Sequence, residues 1–118
     1  MEAVAWYWRA LCLYAQFKGR ASQDEFWFFW FVNATLLAFF ALVEATTGLP
    51  FIFELYGAAV LIPSIAATVR RLHDMDKPAS AIFIALVPVL GWIVLVYWLV
   101  QPGTAGKNAY GPVPLPYP

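Results

Sequence analysis

The sequence predicts an all-α fold, an integral membrane bundle of three transmembrane helices with an N-terminal interfacial helix. Three observations predict it. First, 63% of the 118 residues are hydrophobic and only 12% are charged, with a mean hydropathy of +0.69. A soluble domain of this size cannot bury so much apolar surface. Second, uncharged runs close to the ~20 residues that a helix needs to cross the hydrocarbon core recur along the chain. Third, Lys and Arg are confined to some of the connecting segments and missing from others, the asymmetry that orients membrane helices.

Residues 1–21 are apolar but interrupted by Arg9 and rich in Trp6, Tyr7, Trp8 and Tyr14. Such aromatics favour the headgroup level, so this segment is expected to lie along the interface. A cleaved signal peptide competes with that reading, but a basic start and a small-residue cleavage site are missing. Residues 26–43 carry no charge and form the first span. Residues 50–69 form the second, with the Glu54 carboxylate placed at the interface, where its cost is small. Residues 78–100 are again uncharged and long enough to cross with some tilt, which makes a third span. A re-entrant hairpin at Pro88 and Gly91 stands second, because each half would be too short to cross. The tail, residues 101–118, holds too much Gly and Pro for a helix and is expected to be extended. Within it Asn108-Ala109-Tyr110-Gly111 suits a turn that lays Tyr110 against the outer interface.

Arg9, Lys18 and Arg20 precede the first span and Arg70, Arg71 and Lys77 follow the second, while the segment from Glu44 to Glu54 has neither Lys nor Arg. The amino terminus and the RRLHDMDK loop are therefore expected on the cytoplasmic side, and three spans put the tail outside. Ser22-Gln23-Asp24-Glu25 has the S-x-x-E spacing of a capping box, with the Ser22 hydroxyl accepting from the Glu25 amide and the carboxylate reaching back. Pro78 suits the first turn of the third helix, after Asp74 or Asp76 as its acidic cap. Small residues at helical spacing, Ala34/Ala38/Ala41, Ala59/Pro63/Ala66 and Ala81/Ala85/Pro88, are expected to face one another across the bundle. Pro63 and Pro88 each free a carbonyl one turn back and can bend their helices.

Several function classes lose their basis. A formal net charge of zero gives no argument for nucleic acid, and the lone Cys12 allows neither an internal disulfide nor a zinc site. No P-loop, nucleophile elbow or H-E-x-x-H pattern is present. No catalytic residue, cofactor or metal is therefore expected.

Four stretches occur in order: FKGRASQDEFWFF before the first span, IPSIAATVRRLHDMDK closing the second, PVLGW within the third, and GTAGKNAYGPVP after it. Together, over about Phe17 to Pro114, they resemble the DUF805 family of small bacterial inner-membrane proteins. The resemblance implies a multi-pass protein of the bacterial inner membrane and carries over no catalytic residue. Gln23 and Asp24 stand where the family often has further basic residues, and Pro78-Ala79-Ser80 departs from its usual serine or glycine followed by tryptophans. The RRLHD core is intact.

Arg70 and Arg71 are explained in part by orientation and by the negative end of the second helix. A packed bundle would also bring Arg20, Asp24, Glu25, Arg70, Arg71, His73 and Asp74 to one membrane level as an interlocking charged cluster. Such a cluster would fix the bundle and offer a surface to anionic headgroups or to another membrane protein. The function expected is thus non-enzymatic, of interaction or scaffold type, with membrane lipids, another membrane protein or a further copy of the chain as partners. An oligomeric transporter or channel component is the alternative, with Asn33, Thr35, Ser64 and Thr68 along its path. A metal-dependent enzyme built on His73, Asp74 and Asp76 comes third.

Overall fold

In the computed structural model, which describes residues 2–114, all helices follow one another without an intervening sheet: α1 (Glu2–Cys12), α2 (Gln23–Thr47), α3 (Ile52–Asp74), a 3-10 helix (Ala79–Leu86) and α4 (Leu90–Val100). The described residues hold no strand, only an isolated bridge between Asn108 and Gly111.

Two helices, α2 and α3, are long and apolar enough to cross a membrane. The start of α2 is fixed as its sequence suggests, because Ser22 is extended and its Oγ accepts from the Glu25 amide at 3.1 Å. The reciprocal half of the capping box is replaced. Glu25 turns its carboxylate to Arg9 and Arg70 instead, a stronger pairing than the neutral Ser22 amide offers. Gly48 ends α2 in the left-handed region (φ 74°), donating its amide to the Glu44 carbonyl. α3 runs past the expected end of the second span, so the residues RRLHD form its last turn and a half rather than a loop. They are all buried, and Asp76 closes the turn with φ 60° and its amide on the His73 carbonyl.

The expected third span is instead a hairpin. After the 3-10 helix the chain reverses at Val87-Pro88-Val89, where Val89 takes φ 65°, ψ −65° and the Leu90 amide reaches the Pro88 carbonyl at 2.7 Å. That geometry is a γ-turn, which a β-branched residue adopts only under strain. The two arms touch: Gly91 is buried so closely against the Ile84 carbonyl that a Cβ there would overlap it, and the Trp92 indole donates to the Ala85 carbonyl at 2.8 Å. The hairpin's two ends meet as well, with the Lys77 ammonium 4.5 Å from the centroid of the Trp98 ring. With 11 residues, α4 spans only about 16 Å at ~1.5 Å per residue, short of a ~30 Å hydrocarbon core.

The core joins Ala10, Phe26, Phe29, Ala67, Leu72 and Leu99, so α1 and the hairpin both pack onto the α2–α3 pair. α1 does more than lie on an interface. Trp6 and Ala10 are buried, Tyr7 stacks on Phe29 at 5.7 Å, and its hydroxyl meets that of Tyr56 at 2.8 Å. The small-residue expectation fails for α2, where Ala34, Ala38 and Ala41 face outward, and holds in part for α3, where Pro63 and Ala66 are buried but Ala59 is exposed. Helix contact on α2 runs through Phe26, Phe29 and Asn33 instead.

Candidate functional site

The buried end of α3 gathers six of the fourteen charged residues into ion pairs. Arg70 and Arg71 lie on adjacent positions of the helix and so point to different sides, each toward its own carboxylate. Asp74, one turn beyond Arg71, receives Arg71 Nη1 on Oδ2 at 2.7 Å and Arg20 Nε on Oδ1 at 2.9 Å. Glu25 receives Arg9 Nε on Oε1 at 3.1 Å and Arg70 Nη1 on Oε2. Apart from Arg9, whose side chain is 35% exposed, every member of these pairs is 5% exposed or less.

Burying a guanidinium is costly unless its donors are spent. Arg20 spends its remaining donors on carbonyls of the tail, reaching Thr104 at 2.6 Å, Gly106 at 2.7 Å and Gly111 at 3.2 Å. Arg71 spends its own on the end of α4, with Nε on the Leu99 carbonyl at 3.1 Å and Nη2 on that of Gln101. The last carbonyls of a helix have no partner within it and carry its negative dipole end. Arg71, the Trp27 indole on Leu99 and the Gln23 amide on Val100 satisfy them, which is why the hairpin returns to this end of the bundle.

The tail closes the cluster. Thr104 donates its amide to the Asp74 carbonyl at 2.7 Å, and Gly103 passes so near the Asp74 carboxylate that a Cβ would overlap it. The turn at Asn108–Gly111 forms, but Tyr110 does not reach an outer interface. Its ring stacks flat on His73 at 4.0 Å, while His73 Nδ1 lies 3.0 Å from the Gly19 carbonyl. Asn108 Nδ2 donates to the His73 carbonyl at 2.9 Å.

His73 turns away, to the Gly19 carbonyl and the Tyr110 ring, while five of the seven residues expected in the cluster are brought together in ion pairs, Arg70 with Glu25 and both Arg20 and Arg71 with Asp74. Asp24 is not among them. It is exposed, on the neighbouring face of α2, at the wall of an apolar groove of about 870 Å³ lined by Phe26, Trp27, Trp30, Leu95 and Leu99. Sequence reasoning missed Arg9, which it assigned to the interface, and the tail carbonyls, which have no side-chain signature. His73, Asp74 and Asp76 do not converge, since they turn to Gly19, to two arginines and to the Ala109 amide respectively. Among the polar residues named for a transport path, Thr35 and Thr68 donate back to carbonyls of their own helices, and Asn33 accepts from the Tyr56 hydroxyl at 2.8 Å.

The comparisons with known proteins agree with the reading of the motifs. A family model described as "Protein of unknown function (DUF805)" matches residues 14–112. The inner membrane protein YhaI of Escherichia coli (strain K12) is 37% identical over 110 residues, 92% of this chain and 93% of that protein. The inner membrane protein YhaH of the same organism is 34% identical over 115 residues, 92% of this chain and 95% of that one. No solved structure matches. The family model takes in the start of α2, the buried end of α3, the hairpin and the closing turn of the tail, and this chain belongs to the DUF805 family.

Proposed function

We propose that this chain is a multi-pass protein of the bacterial inner membrane, with the arginine cluster on the cytoplasmic side, and that it acts as a non-enzymatic interaction or scaffold protein. The inner-membrane relatives and the two long apolar helices support the location. The hairpin supports the orientation. Because it returns to the end where it began, all seven Lys and Arg residues (Arg9, Lys18, Arg20, Arg70, Arg71, Lys77 and Lys107) fall at one end of the α2–α3 pair, and the opposite turn has none. That is the positive-inside arrangement, with the start of α2, the end of α3 and the described part of the tail on one side.

The observation that carries the scaffold reading is how Arg20 and Arg71 are used. Their donors go to Asp74 and to main-chain carbonyls at the end of α4 (Leu99, Gln101) and in the tail (Thr104, Gly106, Gly111), so the cluster fixes the shape of the face on which these segments meet. A face held in one shape is suited to recognition by a further membrane component. The test is cross-linking in cells through single cysteines on the exposed tail, followed by purification in mild detergent. A second copy or another membrane protein recovered in fixed stoichiometry, and lost in Asp74→Asn, supports the reading. Solute flux in vesicles holding the purified protein, abolished by the same variant, would replace it with the transporter.

A further inference from the structure

Three buried arginines share this site, and two of them use the same edge of the guanidinium. The Nε and Nη2 donors form the side-on fork that matches two oxygens at once. In Arg20 that fork faces the Asp74 carboxylate and the Thr104 carbonyl, and in Arg71 it faces the Leu99 and Gln101 carbonyls. In Arg70 both Nε and Nη2 are buried and have no hydrogen-bond partner among the described residues, although the residue is 1% exposed. Its Nη1 alone is engaged, on Glu25. Charge points the same way, since four guanidiniums (Arg9, Arg20, Arg70, Arg71) share the two carboxylates of Glu25 and Asp74. The cluster thus carries an excess of positive charge together with one complete, unspent fork.

We propose that the Nε/Nη2 edge of Arg70 is a binding site for a phosphate group, two of whose oxygens take the two free donors. A phosphate supplies the paired oxygens and the negative charge that the cluster lacks, and a headgroup phosphate is available at the level where the proposed membrane orientation puts this end of α3; for that placement the inference rests on the reading above. The fork is closed off in this structure, and Arg9, which shares Glu25 with Arg70 and whose side chain is 35% exposed, is the member of the group whose displacement would open it to the phosphate. The phosphate belongs either to a phospholipid headgroup or to a free phosphate, and the probes below separate the two.

The experiment measures the unfolding midpoint of the intact protein in neutral detergent while inorganic phosphate or short-chain phosphatidylglycerol is added, with chloride at matched ionic strength as the control. The expected result is a saturable rise in Tm beyond that with chloride, as ligand binding to the folded state requires. Arg70→Lys keeps the charge on Glu25 and loses the fork, so the concentration for half the rise should increase roughly tenfold or more. Lys107→Gln, which removes one exposed positive charge, should not move it. Saturation by phosphatidylglycerol alone identifies a lipid headgroup, and saturation by inorganic phosphate at the lower concentration identifies the free anion. If Arg70→Lys does not fold, E25Q/R70Q removes both partners of the pair and should lose the response. No rise in the parent, or an equal rise in the variant that folds, overturns the proposal. The measurement needs no protein partner, so its failure and that of the scaffold reading are separate outcomes.

Discussion

Arg20 and Asp74 stand 54 positions apart in the chain, and Arg20 Nε meets Asp74 Oδ1 at 2.9 Å with both side chains 5% exposed or less. The other oxygen of Asp74 holds Arg71, so one carboxylate balances two buried cations. Asp74→Asn should therefore destabilise the protein by about 3–5 kcal/mol, the range for leaving buried charge uncompensated. Denaturant titration in detergent reads this directly, and a loss below about 1 kcal/mol would mean that the tail carbonyls alone satisfy both arginines. The tail should be released in the same variant, as faster proteolysis after Gln101.

Gly91 tests the hairpin. Alanine there must push the two arms apart, because its Cβ would overlap the Ile84 carbonyl. Overpacking of this kind costs about 1–3 kcal/mol, whereas in a straight helix the same change from Gly would stabilise. The sign of the change in Tm for Gly91→Ala decides between a hairpin and a continuous span.

Topology gives an independent check in cells. A single cysteine at Lys77 and one at Lys107, with Cys12 replaced, should both be protected from an impermeant thiol reagent added to intact cells, since the hairpin keeps them on one side. A crossing third helix, as the length of residues 78–100 first suggests, would leave the Lys107 position labelled and Lys77 protected.

The start of α2 rests on one hydroxyl. Ser22→Ala should cost about 0.5–2 kcal/mol, the usual value of an N-cap, and should speed hydrogen exchange at the Glu25 amide. An unchanged exchange rate at Glu25 would show that its amide finds another acceptor.

α2 and α3 were legible in the sequence because long uncharged runs have few alternatives, and the Ser22 cap because its S-x-x-E spacing is local. Glu25, Arg70, Arg71 and Asp74 could be named as a cluster because the two spans put them at one level. By itself, then, the sequence determined an all-α membrane protein with its positive charge gathered around the ends of two helices. Tertiary structure decided the rest, for physical reasons visible in particular residues. Residues 78–100 are as apolar in a hairpin as in a span, and only the meeting of Gly91 with Ile84 and of the Leu99 carbonyl with Arg71 selects between them. Asp24 and Glu25 are adjacent and equally acidic, but the helix turns about 100° per residue, so one faces the arginines and the other the groove. The tail's part in the site was invisible because it acts through main-chain carbonyls of Thr104, Gly106 and Gly111, which every residue carries and only a fold can aim.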